Sequence, residues 1–246
     1  EIPASGVTGS VLVQAGDTYE DTFYMLDVAA NSDFVQGVVG WIPFDRPNEA
    51  RAAIETFKKN PYFKGVRNLT HDYSNPKYES DDAWITRPAV LETLAMVEKA
   101  GLSFDYVSIK PEHTKNIVTL AKKFPKMKIV VDHFAKPPIA AKEMEPWASS
   151  MAEIAAFPNV YAKLSGLNTA SDLANWKVSD WQPYVDFMVK TYGAKRVMMG
   201  GDWPVIVLGN NYAEIWKAQV EVISHFTEEE QEWMCHKTAK AFYQLG

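Results

Sequence analysis

The chain has 246 residues, 47% hydrophobic and 23% charged, the composition of a globular protein long enough to bury a large core. Asp and Glu outnumber Lys and Arg by 31 to 25, and this net charge of −6 without a basic run argues against a nucleic-acid-binding face. A single cysteine, Cys235, excludes an internal disulfide, no Cys/His cluster suggests a structural zinc, and no apolar run reaches the roughly 18 residues of a membrane span.

Strand-like and helix-like segments alternate along the whole chain. Ser10–Gln14 is an apolar, β-branched run, followed by helical spacing over Asp17–Asn31 with Tyr19, Phe23, Leu26 and Ala30 on one face. Gln36–Phe44 reads as the next strand, with a helix over Asn48–Lys59. Lys64–Thr70 is then followed by the irregular stretch His71–Ile85, long enough to suggest a functional loop. Pro88–Ala100 is helical, starting behind Thr86 and stopping at Gly101. Phe104–Ile109, Lys128–His133, Val160–Ser165 and Arg196–Gly200 are the remaining strands. Helical periodicity fills Glu112–Phe124, Pro146–Phe157, Gln182–Tyr192 and Tyr212–Phe226, with a second irregular stretch at Asn168–Asp180. Thr227 with Glu230 spells a capping box.

Seven strand–helix units of about 35 residues each predict a parallel α/β fold in one domain over residues 1–246. A doubly wound sheet and a (β/α) barrel both fit the count. No Gly-rich phosphate-binding turn follows the first strand, and the polar residues Gln14, Trp41, Arg67, His71, His133, Lys163 and Asp202 gather at the C-terminal ends of strands. That rim is the active face of a barrel, which is therefore the favoured reading.

Asp202, in Gly-Gly-Asp-Trp-Pro directly after a strand, suits a general base or a metal ligand; a turn or cap aspartate is the plain alternative. His133, at the tip of a buried strand, suits metal binding or a hydrogen bond to a substrate oxygen, or simply a core histidine satisfied by backbone. Alternation sends Asp132 to the opposite side from His133, so both cannot point into one barrel cavity unless the strand ends there. Arg67, inside an apolar strand, calls for a substrate carboxylate or carbonyl, or an ion pair with Asp72 or Asp105; the ion pair is the preferred reading for Arg67 alone, and Lys163 poses the same question. Trp41 and Trp203 could line a sugar-sized pocket. His113, His225 and His236 read as solvated helix residues and Cys235 as a small packing residue. Ser165 lacks a Gly-x-Ser-x-Gly elbow.

GVTGSVLVQA, VVGWIPF, FKGVRNL, GLSFDY, IVVDHFAKP, VYAKLSG and RVMMGGDWPV together resemble, in order and spacing, the amidohydrolase-2 group of the amidohydrolase superfamily, closest to its sugar-lactonase branch of L-fuconolactonases and L-rhamnono-lactonases. The ending KTAKAFYQL is similar to that group's C-terminus. The resemblance covers nearly the whole chain and implies a TIM-type (β/α)8 barrel hydrolysing a lactone or related ester at its mouth. It implies Asp202 as the residue that activates water and His133 as the contact to metal or carbonyl oxygen. It implies Arg67 and Lys163 as substrate-binding positions; with the strand-end residues Gln14, Trp41, His71 and Trp203 they make up the expected substrate-binding set.

The chain departs from the group in having no His-x-His, and SVLVQ matches the family's second strand. The first strand is thus expected to be absent, with seven βα units visible. It begins with Glu1, not Met, so a missing natural N-terminus is expected, and something is expected to cover the bare strand edges. The cofactor expectation is one divalent metal such as zinc on Asp202 and His133, or none because the His-x-His pair is missing. The partner expectation is a small-molecule substrate, a sugar lactone or similar, with no nucleic acid, no membrane and a homo-oligomer left open. No signal-peptide pattern opens the chain, so a cytoplasmic location is expected. A catalytically silent barrel that binds a small molecule or serves structure or storage, and a decarboxylase of the same superfamily, are the alternatives to the lactonase.

Overall fold

The computed structural model describes residues 5–71, 78 and 81–246. Among these residues seven parallel strands, β1 (Ser10–Val13), β2 (Val35–Gly40), β3 (Phe63–Arg67), β4 (Ser103–Val107), β5 (Ile129–Asp132), β6 (Val160–Leu164) and β7 (Val197–Met199), are hydrogen-bonded in sequence order, with β1 and β7 at the two ends. Helices α1 (Tyr19–Ala30), α2 (Pro47–Phe57), α3 (Pro88–Ala100), α4 (Pro111–Lys123), α5 (Trp147–Ala155) and α6 (Val178–Tyr192) make the six crossovers. After β7 come α7 (Tyr212–Val222), α8 (Glu228–Glu232), a π-helical turn and α9 (Thr238–Tyr243). Among the described residues no helix is long and apolar enough to cross a membrane.

Local chemistry sets the helix ends. Thr18 Oγ1 accepts from Asp21 N at the start of α1, α2 to α4 each begin on a proline, and Gly101 at φ +70° closes α3. Thr227 and Glu230 form the expected capping box. α6 begins four residues before Gln182, because the Asp180 carboxylate accepts from Lys177 N and holds an extra first turn.

Period-two alternation divides the sheet into two faces. Leu12, Val38, Phe104, Tyr106, Ile129, Val131, Val160, Ala162, Leu164, Val197 and Met199 pack outward with the helices. Val39, Val130 and Met198, from strands far apart in the sheet order, meet in a second cluster with Val11, Val13 and Tyr161 against it, so the sheet is curled and its inner face closes on itself. Phe242, Tyr243 and Leu245 fill this concavity. Lys128 Nζ donates to the carbonyls of Ala241 and Phe242, and Lys64 Nζ to that of Gln244, pinning the segment at the N-terminal ends of the strands. The result is a curled seven-stranded half-barrel.

Two expectations are corrected. The buried face of α1 is Thr22, Met25, Leu26 and Ala29, while Phe23 is 56% exposed. The helix is turned because the Thr22 hydroxyl accepts from Trp41 N at 2.8 Å, drawing a polar residue onto the sheet. His113 is buried, not solvated: its Nδ1 accepts from Ile109 N and its Nε2 faces Asp82 at 3.3 Å, and burial lowers its pKa. His225 and His236 are exposed. Cys235 is exposed as a residue, though its Sγ lies 3.6 Å from Met199 Sδ.

Candidate functional site

The concave face carries two polar layers. The deeper one is a chain of paired charges. Arg67 Nη1 lies 2.9 Å from Asp132 Oδ2, and Lys163 Nζ bridges Asp132 Oδ1 at 2.7 Å and Asp105 Oδ2 at 2.6 Å. Tyr243 OH donates to Asp105 Oδ2 at 2.7 Å. Arg67 Nε donates to Gln14 Oε1 at 3.2 Å, its Nη2 to the Gln14 carbonyl, and Gln14 Nε2 donates to Asp17. Both carboxylates and the two cations are almost wholly removed from solvent, so each charge depends on its neighbours. Burial opposes ionisation of Asp132, but Lys163 and then Arg67 override it and hold that carboxyl well below the usual range. Among the described residues Asp105 has Lys163 as its one cationic partner, and burial raises its pKa. Lys163 would be lowered by burial, yet the two carboxylates win and raise it.

The shallower layer sits at the strand ends. His133 Nε2 is 3.3 Å from Asp202 Oδ1, and His133 Nδ1 is 2.8 Å from Ser165 Oγ. Lys136 Nζ lies 3.9 Å from Asp202 Oδ2 and donates to Thr169 Oγ1 at 2.7 Å. Asp202 has φ +47°, and His133, Phe134, Ala135 and Lys136 all have φ between +50° and +57°. Such left-handed backbone at non-glycine residues is costly and collects at functional sites. Gly166 makes the crowding affordable: a Cβ there would come 2.5 Å from Asp202 Oδ2 and 3.3 Å from both His133 Nδ1 and Lys136 Nζ. Burial raises Asp202 to about 6, against the pull of Lys136, and lowers His133 to about 3, leaving its imidazole neutral.

The sequence-predicted residues divide between these layers. Gln14, Arg67 and Lys163 lie in the deeper one, where each is engaged by other side chains. Arg67 does form an ion pair, but with Asp132 instead of Asp105; Asp72, the other partner considered, lies outside the described residues, as does much of the expected loop after His71. Asp132 and His133 could share the concave face only if the strand ended between them, and it does. β5 ends at Asp132, and the left-handed turn beginning at His133 brings both side chains to the concave face. His71 is half-buried in the turn after β3. Trp41 is 4% exposed and packs edge-on against Tyr19, whereas Trp203 is 68% exposed beside Asp202. Thr169, Lys136 and Tyr243 were not among the sequence-predicted site residues, and Ser165 and Gly166 stood out only by their place at a strand tip. The signal available for Lys136 was a lysine between Ala135 and Pro137-Pro138, just after a strand.

Among the described residues the donor set falls short of a resident zinc. His133 and Asp202 are two ligating side chains, Asp132 is engaged by Arg67 and Lys163, and an ammonium occupies the flank of Asp202. Among the described residues no group of three His, Cys, Asp or Glu side chains could hold a metal ion.

Known proteins resemble this chain in sequence and in fold. An L-fucono-1,5-lactonase of Burkholderia ambifaria is 37% identical over 219 residues, which are 88% of this chain and 72% of that protein. The crystal structure of an amidohydrolase from Burkholderia multivorans with bound zinc superposes with a TM-score of 0.90 at 23% identity, covering 100% of this chain and 86% of that one. A 5-carboxyvanillate decarboxylase from Sphingomonas paucimobilis shares the fold at a TM-score of 0.68 and 12% identity, covering 100% of this chain and 82% of that one. The sequence profile described as Amidohydrolase matches residues 1–245. A curled parallel sheet with its polar residues at the strand ends, matched to that profile over essentially its whole length, identifies this chain as a member of the amidohydrolase family.

Proposed function

We propose that this chain hydrolyses a sugar lactone or a related small cyclic ester, with Asp202 as the base that activates water. Seven strands of a (β/α)8-type wall would then hold the reaction at their C-terminal rim. One observation carries the reading: Asp202 Oδ2 is buried without a hydrogen-bond partner among the described residues, on a carboxyl raised to about 6. An acceptor held that way has the basicity to take a proton from water near neutral pH. Ser165 Oγ–H can donate to His133 Nδ1, which leaves the imidazole proton on Nε2, facing Asp202 Oδ1.

In this scheme Asp202 removes a proton from water as its oxygen bonds to the lactone carbonyl carbon, and the carbonyl oxygen takes the negative charge. The charge then returns, the ring C–O bond breaks, and the proton on Asp202 passes to the departing ring oxygen, giving the open hydroxy acid. The substrate-binding roles of Gln14, Trp41, Arg67, His71, Lys163 and Trp203 belong to this same proposal. The relative named as a fuconolactonase supports a sugar-derived substrate. No observation here favours the decarboxylase, and no step is assigned to zinc.

The test is proton release from a panel of five- and six-carbon aldonolactones, with and without added zinc or manganese. Turnover above the spontaneous rate, lost in Asp202→Asn, is the expected result. A wild-type protein that binds lactones without opening them would replace this reading by the silent, ligand-binding one.

A further inference from the structure

We propose that Lys136 is a second catalytic group of the site, its ammonium receiving the lactone carbonyl oxygen and holding the negative charge that oxygen acquires. The inference rests on the hydrolase reading and extends it to a residue outside the strand-end set.

The backbone is built to deliver this side chain. Four successive non-glycine residues, His133 to Lys136, are left-handed, and Pro137 ends the run. Left-handed non-glycine residues are strained and survive only where packing over-determines them. The packing here does so: Phe134 and Ala135 are buried, the Phe134 carbonyl accepts from Trp147 Nε1 at 2.7 Å, and Lys136 N donates to the His133 carbonyl at 2.8 Å. The outcome of the turn is an ammonium folded back over the ends of β5 and β6.

That ammonium is under-used. A lysine carries three N–H donors, yet the hydrogen-bond partner of Lys136 among the described residues is Thr169 Oγ1 alone, and Thr169 is itself fixed by donating to the Gly166 carbonyl at 2.9 Å. Across 3.9 Å, too far for a direct hydrogen bond, stands the unpartnered Asp202 Oδ2. Spare donors face a spare acceptor, and Gly166 withholds the Cβ that would crowd both. The deeper cations cannot supply this charge, because Arg67 and Lys163 are neutralised by Asp132 and Asp105.

Charge accounting gives the ammonium its purpose. Before reaction Lys136 balances the Asp202 carboxylate. When Asp202 takes the water proton it becomes neutral, and the negative charge reappears on the carbonyl oxygen. A fixed cation that loses one anion as it gains the other stabilises the transition state without rearranging, which is electrostatic preorganisation.

The experiment compares wild type, Asp202→Asn, Lys136→Met, Lys136→Gln and Lys136→Ala on an aldonolactone the wild type opens, with thermal melts to verify folding. Lys136→Met and Lys136→Gln are expected to lose about 10²–10³-fold in kcat, as for removal of one oxyanion donor, with KM changed far less. Ethylammonium is expected to restore part of the rate to Lys136→Ala. Calorimetric titration with the corresponding aldonate, whose carboxylate puts an anion where the oxyanion forms, is expected to weaken at least tenfold in Lys136→Met. Wild-type kcat and aldonate affinity in a folded Lys136 variant overturn the proposal while leaving Asp202 as base. Loss of rate without amine rescue and without loss of aldonate binding also overturns it, since that is the mark of a structural lysine. A wild type without turnover refutes the hydrolase reading first, before any variant is needed.

Discussion

The floor and the rim of the concave face are built from the same residue types and treat charge in opposite ways. In the floor, Arg67, Asp132, Lys163, Asp105 and Tyr243 alternate donor and acceptor at 2.6–2.9 Å, on regular strands and one helix end. At the rim, His133, Lys136 and Asp202 stand 3.3–3.9 Å apart on left-handed backbone; Asp202 Oδ2 has no hydrogen-bond partner among the described residues, as is also true of Asp105 Oδ1 in the floor, so the contrast lies in the spacing of the charges. Closely paired charges hold a fold in one arrangement; charges whose pairing is left geometrically incomplete leave room for a substrate. The strained backbone falls on the incomplete side, as expected where packing pays locally for a reactive geometry.

The sharpest break of this contrast is Asp202→Asn. It should lower kcat/KM for lactone opening by about 10²–10⁴-fold while shifting the denaturation midpoint little, as measured by steady-state kinetics beside urea melts. The reverse pattern is expected of Asp132→Leu: removing one member of a buried charge network costs about 3–5 kcal/mol of stability, readable in the same melts. Equal stability losses at the two positions would erase the distinction between floor and rim. Tyr243→Phe removes a hydrogen bond to a buried carboxylate and should cost about 1.5–3 kcal/mol, again with little effect on kcat in whatever fraction stays folded. Thr227→Ala, far from both layers, should cost about 1 kcal/mol as a lost helix cap and serves as the reference for an ordinary surface change.

The pH profile sharpens the same comparison. Asp202 must be ionised to act as a base, and burial raises it to about 6, so kcat/KM should climb with pH through that region and fall again at higher pH as Lys136, lowered by burial, gives up its proton. His133, lowered to about 3 by burial, stays neutral throughout and should add no second limb near neutrality. An acid limb that persists unchanged in Asp202→Asn would assign the titration to another group.

The strand and helix order was legible from residue periodicity alone, because an apolar run of β-branched residues and an apolar stripe at helical spacing each have one favourable way to bury themselves. Asp202, His133, Arg67 and Lys163 were legible as candidates because polar residues at the ends of apolar strands stand out against the pattern. Which charge meets which was not. Alternation separated Asp132 from His133 unless the strand ended between them; that it does end there, in a left-handed turn, only the structure decided. The rotation of α1 turned on one hydroxyl, that of Thr22, finding the backbone of Trp41 nineteen residues away. Lys136 and Tyr243 enter the site from opposite directions, one through a strained turn and one from the far end of the chain. Sequence determined the elements, since burial of apolar surface is a local periodic demand; the tertiary structure decided the pairing of charges, since that depends on which strand ends the curl of the sheet brings face to face.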